Sequence, residues 1–123
     1  MKVIPPYTPL LSKAHSWDDL LKFFTTLFDG QYEDSIAALI LHIKASGLDK
    51  RLYGLSSLDR LIVSNDALIQ VGRETIFITF DRENQTWQLK YSAMPFNNPE
   101  WVRTYSKNLG IKKFDQLIEL LKW

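Results

Sequence analysis

The chain has 123 residues, 46% of them hydrophobic, with fifteen basic residues against fourteen acidic ones and no cysteine. That is the length of one domain with ample apolar material for a core. It excludes a disordered chain, a disulfide frame, a thiolate nucleophile and a cysteine-held metal. The net charge of +1 removes any general attraction to nucleic acid or to an anionic membrane, so neither is expected as a partner.

Residues 1–15 read as an extended arm, because Pro5, Pro6 and Pro9 interrupt any helix. They also interrupt the apolar stretch that a signal peptide needs, so none is expected. The longest apolar run, residues 36–41, falls far short of the roughly 20 residues of a bilayer span. With cysteine absent, a cytoplasmic location is the expectation. Residues 16–123 show no repeat or linker and are expected to form one domain.

Ser16 is placed to cap a first helix over 17–29, with Asp18 and Asp19 in its first turn. Trp17, Leu20, Leu21, Phe24, Leu27 and Phe28 give it one apolar stripe, and Gly30 stops it. A second helix, about 33–46, turns Ile36, Leu39, Ile40 and Ile43 inward and ends at Gly47. "RLYGLSS", from Arg51, fits strand or loop. The pattern then becomes strand-like in "LDRLIVS", "ALIQV", "TIFITF" and "TWQLKYS", separated by turn formers. Links this short favour an antiparallel meander of three or four strands. Pro99 with Asn98 as cap starts a third helix, with Trp101, Val102, Tyr105 and Leu109 on one side and Gly110 at its end. A fourth helix over about 113–122 turns Phe114, Leu117, Ile118 and Leu121 inward and Lys112, Asp115, Gln116, Glu119 and Lys122 outward.

The order α-α-β-β-β(-β)-α-α predicts a two-layer α+β fold with helices on one face of the sheet. In its central hairpin, pairing Phe80 with Trp87 also pairs Ile78 with Leu89 and Ile76 with Tyr91, leaving Glu83 and Asn84 at the tip. Six large apolar side chains then share the face that meets the helices. Fully buried, at about 1.5–3 kcal/mol each, they contribute on the order of 10 kcal/mol as an upper bound. The other face carries Thr75, Phe77, Thr79, Thr86, Gln88, Lys90 and Ser92 and tolerates water.

Catalytic signatures are scarce. His15 lies in the arm, and His42 beside an apolar stripe reads as a half-buried residue with one hydrogen bond. No "GxSxG" elbow and no glycine-rich phosphate cradle occurs. Asp29, Glu33 and Asp34 around Gly30 lack the alternation of a calcium loop and are accounted for by adjoining helix ends. No catalytic residue, metal site or cofactor is therefore assigned. The leading expectation is a protein that works by stoichiometric association with another, as yet unidentified, protein. It would use Phe77, Thr79, Gln88 and Lys90 of the hairpin's polar face. Small immunity proteins that occupy a toxin share this size and architecture, an analogy that transfers no residues. One alternative is a ligand-binding domain or small enzyme with a pocket between helices and sheet, drawing on His42, Tyr53, Tyr91, Arg103 and Tyr105. Another is a structural homodimer that buries Phe77 by sheet packing. Trp123 is free either to anchor a partner or to fold back on the last helix.

Overall fold

A computed structural model describes residues 11–95 and 97–123. The proline-containing stretch of the arm therefore lies outside the described residues. Among the latter, three helices and seven strands form a two-layer α+β fold. The strands are β1 (Leu11–Lys13), β2 (Tyr53–Ser57), β3 (Arg60–Ser64), β4 (Leu68–Gln70), β5 (Thr75–Asp81), β6 (Thr86–Ser92) and β7 (Trp101–Ser106). The helices are α1 (Trp17–Thr26), α2 (Ile36–Ala45) and α3 (Gly110–Leu121). The main sheet is antiparallel throughout, in the order β2-β3-β5-β6-β7, and β1 and β4 pair separately.

The central hairpin has the register that its apolar residues dictate: Phe80 opposite Trp87, Ile78 opposite Leu89 and Ile76 opposite Tyr91. Its tip is held by the Asp81 carboxylate, which accepts hydrogen bonds from the backbone N–H groups of Glu83 at 3.0 Å and Asn84 at 3.2 Å. The hairpin's inner face joins Leu61 and Val63 beneath the helices. Leu20 and Phe24 of α1, Ile36, Leu39, Ile40 and Ile43 of α2, and Phe114, Leu117 and Ile118 of α3 close the core from above.

The helices differ from expectation at their ends. α1 stops at Thr26, not 29. Thr25 and Thr26 turn their hydroxyls back onto the carbonyls of Leu21 and Lys22, and Phe28, Asp29 and Gly30 all take positive φ. α2 starts at Ile36, because Tyr32 is drawn into the interior and the connection is wound as turns around it. Ser16 caps α1 as expected, accepting from the Asp19 N–H at 3.0 Å.

The largest correction concerns residues 99–109, where the expected third helix is strand β7 followed by a short 3-10 turn. Trp101 and Tyr105 share a side in a strand as well as in a helix, so their spacing does not distinguish the two. Pairing with β6, which places Trp101 opposite Tyr91 and Tyr105 opposite Trp87, decides for the strand. Gly110 does not end a helix; it opens α3, directly over the Trp87 indole. A Cβ built on Gly110 would lie 2.2 Å from Trp87 Cδ1, so only glycine allows this approach. The indole donates its N–H to the Lys107 carbonyl at 2.9 Å and is 2% exposed.

A second correction concerns "ALIQV", which does not continue the meander. The Asp66 carboxylate accepts from the Leu68 N–H at 3.1 Å, and this turn carries β4 off the sheet to pair with β1. Ile69 of β4 then packs with Leu55 and Ile62 in a second small core, against which Ala14, Tyr53 and Phe77 rest. The face opposite the helices is therefore partly covered: Thr75 and Ser92, expected to meet water, are 0% and 7% exposed beside the buried Ser64, with the Thr75 hydroxyl accepting from the Gly72 N–H, and only the remainder is open.

Candidate interaction face

Alternation along five strands builds the outer face row by row. One row runs Leu55, Ile62, Phe77, Lys90 and Val102, each directly opposite the next. A neighbouring row holds Thr79, Gln88 and Thr104. The expected residues Phe77, Thr79, Gln88 and Lys90 are thus brought together on one surface. Gln88 and Thr104 are exposed, whereas Phe77, Thr79 and Lys90 are half-buried. Val102 adds an apolar side chain 38% exposed.

Phe77 is not the isolated residue that the hairpin alone suggests. On one flank it touches the Leu55–Ile62–Ile69 cluster. Two cations lie against its ring, the Arg60 guanidinium carbon at 5.3 Å and Lys90 Nζ at 5.1 Å from the centroid. Both distances fall within cation–π range, so the ring holds two flexible basic side chains in place. Arg60 also donates to the Ser57 hydroxyl at 3.2 Å. Beside Arg60 a groove of about 490 Å³ is floored by Leu55 and Ile62 and edged by Lys13, His15, Ser56 and Ser57.

Sequence reasoning missed Arg60, Leu55, Ile62 and Val102 as members of this face. They lie on β2, β3 and β7, outside the central hairpin, and the sequence pattern around Val102 favours a helix. The alternation in "WVRTYS" was the available signal.

The five pocket candidates are not brought together. His42 lies between helices, where its Nε2 is 2.8 Å from Asp115 Oδ1; Asp115, expected to point outward, turns to meet it. Tyr53 packs against the second core on the outer face. Tyr91 lies on the helix side, 6.1 Å from the Trp123 ring, and burial pushes its hydroxyl pKa up, reinforced by Glu74 and Glu100. Tyr105 and Arg103 belong to the sheet edge, with the Arg103 guanidinium over Trp101 at 5.3 Å and Lys113 Nζ over Tyr105 at 5.6 Å. Trp123 folds back onto the core, and its carbonyl accepts from Arg51 at 2.9 Å.

Three ion pairs occur among the described residues: His42–Asp115, Lys44–Asp18 and Lys107–Asp34. All three lie on the helical side or at its connections, and none involves the outer face. The Lys107 ammonium, hydrogen-bonded to Asp34, holds that carboxyl below its ordinary range. No described helix is long and apolar enough to cross a membrane. Comparison with protein-family models, curated proteins and solved structures found no match.

Proposed function

We propose that this protein acts by stoichiometric association with another protein, through the outer face of its sheet. The observation that supports the reading is the accessible part of the row, Phe77–Lys90–Val102, in which one aromatic ring, backed by the buried Leu55 and Ile62, lies against two cations and is bordered by Thr79, Gln88 and Thr104. Interfaces concentrate their binding energy in such a centre: an aromatic anchor held in place, next to Arg, within a polar rim. Because the ring already orders the two basic side chains, less rotamer entropy remains to be lost on binding. An inhibitor or immunity protein, which neutralises its target by occupying it, is one kind of protein that works in this way.

The test is copurification from the native host followed by calorimetry with the identified partner. Phe77→Ala is expected to weaken the complex at least tenfold, about 1.4 kcal/mol, while circular dichroism stays native. Unchanged affinity in both Phe77→Ala and Gln88→Ala would remove the outer face as the contact surface.

A further inference from the structure

Resting on the reading above, we infer that the segment this face receives is acidic: a protein surface presenting Asp or Glu carboxylates beside an apolar side chain. The charges of the face are lopsided although the chain as a whole is nearly neutral. Among the outward-facing strand positions, the basic residues are Arg60 and Lys90, with Lys13 and His15 along the adjoining groove. The one acid at an outward-facing position within the five strands is Asp81. It lies at the hairpin's far end and is already engaged by Asn84, whose side-chain amide donates to it at 2.8 Å. The other thirteen of the fourteen acidic residues lie on helices, in connections or at strand ends. Neither Arg60, Lys90 nor Lys13 belongs to any of the ion pairs among the described residues.

Two cations with no acidic partner in the ion pairs above lie against one ring, and a carboxylate set beside either supplies the missing counter-charge. Arg60 retains donors on its guanidinium beyond the one given to Ser57, and a guanidinium matches a carboxylate with two parallel hydrogen bonds. Beside them the groove presents Val71, 44% exposed, next to the nearly buried Leu55 and Ile62, a place for an apolar side chain adjacent to the acid. The His15 ring at its edge is suited to a further oxygen acceptor, as is the Ser57 hydroxyl beside Arg60. A nucleic-acid strand would also satisfy the cations, but stacking surfaces for single strands present successive open aromatic rings, and the rings of this face, Phe77 and Tyr53, are both packed against the second core.

The experiment is selection of a random peptide library on the full-length chain, with the charge-reversed variant Arg60→Glu/Lys90→Glu and a poly-thymidine strand as comparisons. The enriched peptides are expected to carry carboxylates next to a bulky apolar residue. Their binding should fall at least tenfold on the reversed variant and weaken as salt rises. Their amide shifts in nuclear magnetic resonance should cluster on β2, β3, β5 and β6 around Phe77. Failure to enrich, enrichment of neutral or basic peptides, or equal binding to the reversed variant would overturn the inference. Tighter binding of poly-thymidine at the same residues would overturn it in favour of nucleic acid. The two proposals fail separately. If the native partner loses affinity on Phe77→Ala but not on charge reversal, the face stands and the acidic segment falls.

Discussion

The two faces of the main sheet are built from alternate residues of the same strands, yet they obey different rules. Toward the helices, Leu61, Val63, Ile76, Ile78, Phe80, Trp87 and Leu89 are all buried, and packing decides every identity. Toward the outside, Arg60, Thr79, Gln88, Lys90 and Thr104 are half-buried or exposed, whereas Leu55, Ile62, Tyr53 and Phe77 join a small cluster and Ser64, Thr75 and Ser92 are buried at the end where the β4–β5 connection crosses. Most of the packing therefore resides on the helix face, and the freedom to carry recognition on the part of the outer face that β1, β4 and the β4–β5 connection leave uncovered. Substitutions that cross from one face to its neighbour should change character within a single residue.

The largest effect is expected at the seam between β6 and α3. Trp87→Ala should cost about 3–5 kcal/mol in urea unfolding, because a fully packed indole leaves a cavity. Gly110→Ala should cost about 1–3 kcal/mol or more, since its Cβ would collide with that indole. Wild-type stability in Gly110→Ala would show that α3 does not approach as closely as described.

The comparison sharpens at neighbours on β3. Leu61 and Ile62 are 0% and 2% exposed but belong to the large and the small core respectively. Leu61→Ala should fall in the upper part of the roughly 2–5 kcal/mol range for such truncations, and Ile62→Ala near about 2 kcal/mol, where the site collapses more easily. Equal losses would mean that the small sheet buries as effectively as the helices do.

Smaller still, Lys90→Glu and Gln88→Ala should change stability by no more than about 0.5–1 kcal/mol, as surface substitutions do, while Lys90→Glu alters binding.

The smallest effect lies at Asp34. Its carboxyl is held below the ordinary value of 3.8 by Lys107, so the native state favours the ionised form. The contribution is fully present above about pH 4 and is lost as pH falls through the depressed native value. Both side chains are well exposed, which limits it to below about 1 kcal/mol. Nuclear magnetic resonance titration should show the Asp34 midpoint rising on Lys107→Gln. An unchanged midpoint would break the link between the α1–α2 connection and the turn after β7.

Much of the inner face was legible in the sequence because six large apolar residues alternate over Ile76–Phe80 and Trp87–Tyr91, and one register alone keeps them together. Residues 99–109 were not legible. Pro99, Asn98 and Gly110 imitate the punctuation of a helix, and a four-residue spacing of Trp101 and Tyr105 suits both structures. Gly110 owes its identity to an indole twenty-three positions earlier, a contact that no local pattern reveals. On the outer face, Phe77, Thr79, Gln88 and Lys90 could be read from one hairpin. Arg60, Ile62 and Val102 enter only through pairing between strands, so the second cation beside Phe77 emerged from topology.

Absence of cysteine makes the central claim directly measurable. Single cysteines placed at Gln88, Leu89 and Lys90 report, by their rate of reaction with a thiol reagent in native buffer, which way each position of β6 turns. Rapid labelling at 88 and 90 with strong protection at 89, in variants that retain native circular dichroism, is the expected result. Uniform rates, or protection at 88 and 90 with a reactive 89, would contradict the division of the sheet into a packed face and a free one.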